Sequence, residues 1–247
     1  MTKVSIITAT LNSEATIKHN IISVNRQKYK NIEHIIIDGL SNDRTLEVIK
    51  KYKNLKNRII YSSSDKGIYY ALNKGVSLSN GEIICFLNSD DYFLDKNVIN
   101  KVVNFFKLFD ADVVYGNLNY VKKDKLKIFR KWKSTPFQKI FLKKGWMPPH
   151  PSTFIKKKIV KRKKWFNTNY KISADYDFLV KLFRDDDVKK KYLDQILINM
   201  RVGGISNNSF KNLIIKSIED YKIIRKNNLG GIFTLFMKNL RKIPQLF

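Results

Sequence analysis

Short apolar runs alternate with amphipathic stretches through the first 118 residues. Val4–Thr10 predicts a strand, and the stretch from Ser13 to about Arg26 follows with helical spacing. Ile32–Asp38 is rich in β-branched residues and ends in Asp38-Gly39, and Thr45–Tyr52 returns to a helical period. Arg58–Ser63 predicts a third strand and Gly67–Leu78 a third helix, with Asn73-Lys74-Gly75 read as its C-cap or, through Lys74, as a phosphate contact. Glu82–Leu87 is a fourth strand closing at Asn88-Ser89-Asp90-Asp91. Asn97–Phe109 is a strongly amphipathic helix, and Asp112–Tyr115 starts another strand. Continuous apolar strands alternating with helices predict a parallel sheet covered on both faces. Ligands bind such sheets outside the carboxyl ends of the strands, where the polar residues gather here.

The second half is less regular. Leu126–Trp132 and Ser152–Ile155 read as strands, Ile159–Trp165 as a basic helix, and Lys191–Val202 as a strand ending at Gly203-Gly204. Prolines make Trp146–Pro151 a stiff extended loop. Ser173–Arg184 predicts a helix with Ser173 as N-cap, Phe210–Lys226 another, and Gly230-Gly231 breaks the chain before a final segment.

Composition narrows the class. Apolar runs stop well short of the roughly 18 residues a membrane span needs, and the chain starts on a strand without a secretory leader pattern. Cys85 is alone, which excludes an internal disulfide framework and a thiolate zinc cluster. His19, His34 and His150 are too few for a histidine-rich metal site. The expectation is a soluble or surface-bound protein in a reducing compartment. Net charge is +27, but residues 1–118 carry only +4 and residues 119–247 carry +23. That asymmetry favours phosphate-bearing partners: nucleic acid, an anionic membrane or a pyrophosphate substrate. Of 48 cationic side chains 39 are lysine, which suits diffuse attraction better than base reading by arginine forks. A lysine-rich composition from an AT-rich genome is the plain alternative.

Several acids sit where chemistry could use them. Asp90 and Asp91 follow a buried strand, as a hard divalent cation shared with substrate phosphates requires, or else they only turn the chain. Asp38 before Gly39 suits a base or ribose contact, or a plain Asp-Gly turn. No G-x-G-x-x-G follows the first strand and no P-loop occurs, which disfavours dehydrogenases and P-loop NTPases. Asp175 and Asp177 point roughly 200° apart on a helix, so they cannot both face one substrate. Asp175 is open to a role as base or as a favourable charge at the helix N-terminus.

Seven motifs in order carry a resemblance. They are Val4–Asn12; Asp38–Thr45; Ser64–Gly75; Phe86–Asp91; His150-Pro151-Ser152-Thr153-Phe154; Ala174–Phe178; and Gly203-Gly204-Ile205-Ser206. Together the chain resembles inverting glycosyltransferases of family 2, non-processive and of the bacterial cell-surface polysaccharide type. The resemblance implies a GT-A fold: a Rossmann-like α/β architecture with a mixed, mainly parallel sheet, helices on both faces and C-terminal acceptor-side helices. It implies that Thr8, Thr10 and Asp38 hold the donor nucleotide, with Asp65 near base or ribose and Asn12, Ser41, Lys66, Asn73, Asn88 and Ser89 in the same donor set. Asp90, with Asp91 beside it, falls at the family's D-x-D metal position for Mn²⁺ or Mg²⁺. Asp175 matches the catalytic base, and His150 lies in a motif that closes over donor or acceptor. Two departures are plain: Asn88 replaces the first acid of D-x-D, and Ala174 replaces the Glu of the Glu-Asp pair. The Gln-x-x-Arg-Trp motif of processive synthases is absent, which favours single-sugar transfer.

The expected organisation is a nucleotide-sugar half (1–118), an acceptor and base half (119–206), and basic amphipathic helices (207–247). The expected partners are a nucleotide-sugar donor, probed first as UDP-linked, and a saccharide or polyprenol-linked saccharide acceptor. An anionic membrane surface enters through Gly231–Lys242, which reads either as an interfacial helix or as one packed on protein. This corresponds to a cytoplasmic protein, peripheral on the inner membrane face. A nucleic-acid binder is the rival from another class, but no nucleic-acid motif is present. A sugar nucleotidyltransferase is nearer, yet the glycine-rich basic loop expected after its first strand is missing. The pivotal expectation is spatial: Asp38, Asp90 and Asp175 line one cavity.

Overall fold

Strand β1 (Val4–Thr10) is apolar on both sides because it is covered on both sides, and alternate residues serve different cores. It pairs in parallel with β2 (Ile32–Asp38) and β4 (Ile83–Phe86), and β2 pairs in parallel with β3 (Asn57–Ser62). The computed structural model describes residues 1–52, 57–122, 127–161, 165–203 and 209–241. Its sheet continues through β8 (Thr153–Lys156), β6 (Val113–Val121), β9 (Lys190–Arg201) and β5 (Tyr92–Phe93), in the order β3-β2-β1-β4-β8-β6-β9-β5, with β7 (Ile128–Trp132) on β6. Strands β8, β5 and β7 run antiparallel to their neighbours, so the sheet is mixed and mainly parallel.

The period of two along each strand divides the core. Ile7, Ile35, Ile37, Ile84 and Phe86 face helices α3 (Ile68–Leu78), α7 (Ala174–Arg184) and α8 (Phe210–Lys226). Val4, Ile6 and Cys85 face α4 (Val98–Leu108), whose Val98, Val102 and Phe106 recur at helical spacing. Helices α1 (Ile17–Asn25) and α2 (Thr45–Lys51) cover Ile36. The chain is thus an α/β fold with helices on both faces of the sheet.

Some expectations need correction. Gly75 does not cap α3; the helix runs through it to Leu78. A Cβ there would lie 2.4 Å from Ile7 Cγ2, so the missing side chain is what lets α3 lie directly on β1. His150–Ser152 is a 3₁₀ turn rather than extended chain. The predicted basic helix starts earlier, as α6 (Lys157–Lys161), and its continuation lies outside the described residues. Short α5 (Ile140–Lys143) and β5 have no counterpart in the sequence reading. Gly204–Ser206 also lie outside the described residues.

The C-terminal segment packs on protein through one face. In α9 (Ile232–Leu240), Thr234, Leu235 and Lys238 are buried, Thr234 Oγ1 donates to Lys143 O, and Lys238 Nζ lies 2.5 Å from Asp220 Oδ2 of α8. Ile232, Phe233 and Phe236 on the other face are exposed. Among the described residues no helix is long and apolar enough to cross a membrane.

Candidate active site

The carboxyl ends of β1, β2, β3 and β4 share one edge of the sheet, and their loops are tied together there. Thr10 pairs with Asp38 across β1 and β2. Asp38 is fully buried: its carboxylate accepts from Ser41 N (3.1 Å), Ser41 Oγ (2.5 Å) and Ser62 Oγ (2.8 Å). Ser41 Oγ in turn accepts from Asn12 N, and Asn12 Oδ1 accepts from Asn42 N. Asp38 therefore organises the loop above it. Thr10 Oγ1 is buried without a hydrogen-bond partner, an uncommon state for a native hydroxyl.

Thr8 has a different position from the one expected. It is buried beneath the edge, where its hydroxyl donates to Leu87 O (2.8 Å) and meets His34 Nε2 (3.1 Å). Arg58 Nε donates to His34 Nδ1, which leaves Nε2 as the protonated nitrogen. The Arg58–His34–Thr8 chain thus fixes Leu87, just ahead of Asn88-Ser89-Asp90. Asn73 is likewise engaged internally: its amide donates to Phe166 O and accepts from Phe166 N, fastening α3 to the loop before α7.

After β3, Asp65 is half-buried with Oδ2 unpartnered, and burial raises its pKa, with the Lys74 charge opposing and the Asp38 charge adding. Lys74 Nζ lies 3.5 Å from the centre of the Tyr61 ring and donates to Ser63 Oγ, while Lys66 is exposed. An unpaired carboxylate oxygen, an exposed aromatic face and a cation sit together.

The loop after β4 separates two neighbouring acids. Ser89 Oγ lies 3.0 Å from Ser13 Oγ, joining this loop to the one after β1, and Asn88 O accepts from Asn20 Nδ2. Asp91, expected as a metal ligand, is 0% exposed; its oxygens accept from Asn88 Nδ2 (2.9 Å) and Arg201 N (3.1 Å). Burial and then the Asp90 charge raise the Asp91 pKa well above the ordinary carboxylate range. Asp91 fastens the loop to β9, and only Asp90, half-buried, remains at the surface of the pair. Among the described residues no group of three or more His, Cys, Asp or Glu could hold a metal by itself. One hard carboxylate completed by substrate phosphate oxygens is the usual Mg²⁺ or Mn²⁺ arrangement, and the residues fit it.

Arg201, at the end of β9, was missed in the sequence. It is buried, yet Nε and Nη1 have no hydrogen-bond partner, and its charge acts on Asp91. A buried guanidinium with free donors suits an anion. Its only sequence signal is a lone arginine ahead of Gly203.

Asp175 lies in the first turn of α7, half-buried, whereas Asp177 is buried against Lys181, as their angular separation requires. Tyr69, in the first turn of α3, donates to Ile172 O and lies 3.3 Å from Asp175 Oδ1. Burial, followed by the Asp175 charge, raises the Tyr69 pKa far up, so the phenol stays a donor. His150 stacks on Phe86 at the end of β4 (5.4 Å between centroids), and Nε2 has no partner. Burial lowers the His150 pKa, against the pull of the nearby Asp175 charge. These interactions run from Tyr69 of α3 to Asp175, and from Asp175, through its charge on His150 and the His150–Phe86 stack, to the strand that leads into the loop of Asp90. A separate cavity of about 670 Å³, lined by Asn80, Gly81 and Lys156–Lys158, lies at the opposite end of the sheet and has no part in this network.

The histidines predict a pH effect. Burial, with cationic neighbours at His34 and His19, lowers all three pKa values from 6.5. Below about pH 6.5 the unfolded chain binds the protons the folded rings refuse, so stability falls with pH until the folded-state values are passed. The thermal midpoint, measured by circular dichroism, should drop between about pH 6.5 and 5. It should drop less in His34→Gln, and an unchanged slope in that variant would remove His34 as a cause.

A family profile described as Glycosyl transferase family 2 matches residues 5–175. The PGL/p-HBAD biosynthesis glycosyltransferase of Mycobacterium bovis is 28% identical over 207 residues, 82% of this chain and 78% of that protein. The Escherichia coli UDP-Glc:alpha-D-GlcNAc-diphosphoundecaprenol beta-1,3-glucosyltransferase WfaP is 36% identical over 124 residues, 50% of this chain and 49% of that one. The crystal structure of S. aureus TarS 1-349 in complex with UDP-GlcNAc superposes with a TM-score of 0.74 at 20% identity. It covers 91% of this chain, which spans 65% of the TarS chain.

Proposed function

The chain belongs to glycosyl transferase family 2, a family of glycosyltransferases, and from that premise we propose a specific reaction for it. It transfers one sugar from a UDP-sugar to a hydroxyl of a saccharide or polyprenol-linked saccharide, inverting the anomeric carbon. The observation that carries this reading is the Tyr69 bridge: a residue four positions past Asp65 lies 3.3 Å from Asp175 Oδ1, which supports a base beside the donor-side loop. WfaP, named for a UDP-Glc donor and a diphosphoundecaprenol-linked acceptor, and TarS in complex with UDP-GlcNAc support the choice of a UDP donor and a lipid-linked acceptor.

On this reading residues 1–118 bind the donor, 119–206 supply the acceptor side and base, and the exposed faces of α8 and α9 meet the membrane. Thr10 and Asp65 offer their unpaired oxygens to base and ribose, and Asp38 holds the Ser41 loop beneath them. Arg201 donates to the diphosphate. A divalent cation at Asp90 would act as a Lewis acid toward the leaving diphosphate. Asp175 takes the proton of the acceptor hydroxyl from within about 3 Å, on the face of the sugar opposite the nucleotide. His150, kept neutral by burial, bounds the sugar side with its unpaired Nε2. A screen of UDP-, GDP- and dTDP-sugars with Mn²⁺ or Mg²⁺ tests this through released nucleoside diphosphate. UDP release from one UDP-hexose is expected, and no release from any donor overturns the reading.

The enzyme works as a peripheral protein on the cytoplasmic membrane face. Phe210, Ile214 and Ile218 of α8 and Ile232, Phe233 and Phe236 of α9 are exposed. Within residues 209–241 the acids are Glu219 and Asp220, both buried, while Lys211, Lys222, Arg225 and Lys226 are exposed. An apolar surface with exposed cations and no exposed carboxylate is complementary to an anionic bilayer. In flotation, the full chain should partition at least about tenfold better into phosphatidylglycerol vesicles than into phosphatidylcholine. Phe233→Ser with Phe236→Ser should reduce that binding. Equal partitioning into both vesicle types removes the membrane role.

A further inference from the structure

Resting on Asp175 as base, we propose that Glu219 of α8 is the positioning residue that fixes the base's helical turn. Where the family motif has Glu before the base, this chain has Ala174, fully buried. A carboxylate reaches the same turn from elsewhere. Glu219 Oε1 accepts from Lys171 N (2.7 Å), and Oε2 accepts from Ile172 N and Ser173 N (2.9 Å each). Three successive backbone donors, the last at the N-cap of α7, end on one buried side chain.

Ordinary capping does not explain this end of the helix. Ser173 Oγ makes no capping bond and has no partner at all. Negative charge at the N-terminus of α7 is favourable, and three charge-assisted bonds to one carboxylate hold the chain more firmly than a serine cap. Tyr69 grips the same segment from the opposite group: its hydroxyl donates to Ile172 O (2.5 Å) and lies 3.3 Å from Asp175 Oδ1. Asp175 Oδ1 also accepts from Tyr176 N, so its direction depends on where the turn begins. Behind it, Lys238 Nζ lies 3.5 Å from the centre of the Tyr176 ring while paired with Asp220, the residue after Glu219. Neighbouring residues of one turn of α8 therefore brace the base through its backbone entry and, by way of α9, through the ring after it.

The effect should fall on turnover, because the donor-binding edge does not touch Glu219. In Glu219→Ala, kcat for transfer should drop about 100-fold, the scale of a misplaced catalytic group. KM for the donor and its calorimetric affinity should stay within about twofold. Glu219→Gln keeps one acceptor oxygen and should recover part of the loss, and Tyr69→Phe, which removes a single hydroxyl, should lower kcat about tenfold at unchanged KM. These two variants keep the test decisive if the alanine protein fails to fold. Wild-type kcat in Glu219→Gln and Tyr69→Phe, or equal losses in kcat and donor affinity, overturns the positioning role. Asp175→Asn is run in parallel. If it stays active, the base assignment fails; if it is inactive while the Glu219 and Tyr69 variants turn over normally, only the positioning inference fails.

Discussion

Asp175→Asn loses turnover by about 10²–10⁴-fold while its affinity for the donor nucleotide stays within about twofold. The size follows from the role: an acceptor hydroxyl is a poor nucleophile until its proton has somewhere to go, and an amide cannot take it. The selectivity follows from position. Asp175 is held by Tyr69 and acts on the His150 ring, one step removed from the loops of Thr10, Asp65 and Asp90. Asparagine keeps the oxygen that accepts from Tyr176 N and Tyr69, so the turn should survive. Single-turnover kinetics beside calorimetry with UDP separates the two effects. Normal single-turnover rates in this variant would remove Asp175 from the role of base.

Asp90→Ala should erase the dependence of donor binding on Mn²⁺, lowering donor affinity in its presence by on the order of 100-fold. Asp91→Ala serves as the contrast. Asp91 is buried with both oxygens engaged to Asn88 and Arg201, so its loss should lower the thermal midpoint instead. Calorimetry of UDP with and without Mn²⁺, beside thermal melts, distinguishes the acids. Retained Mn²⁺ dependence in Asp90→Ala contradicts the assignment.

The parallel strands were legible because each is a continuous apolar run bounded by polar loops, and the gathering of those loops at one edge followed from that pattern. Strand β5 was not, because Tyr92–Phe93 becomes a strand by pairing with Asn199 and Ile198, far along the chain. Local reading also could not separate polar residues that look outward from those that hold the scaffold. Thr8, Asn73 and Asp91 resemble Thr10, Asp65 and Asp90 in sequence, yet their partners, His34, Phe166 and Arg201, become neighbours only once the sheet forms. Gly75 read as a cap because a glycine inside a helix costs stability; its reason is the Ile7 side chain beneath it. The brace on α7 was hidden for the same cause, since Glu219 lies on another helix and caps backbone rather than side chain.

A crystal structure of the chain with a UDP-sugar and Mn²⁺ tests most directly whether Asp38, from beneath its loop, Asp90 and Asp175 serve one site. The base and ribose should lie over Thr10 and Asp65 above the Asp38 loop, the diphosphate between Asp90 and Arg201, and the sugar toward Asp175. A nucleotide seated in the cavity beside Asn80 and Lys156–Lys158, or a sugar pointing away from Asp175, would contradict it.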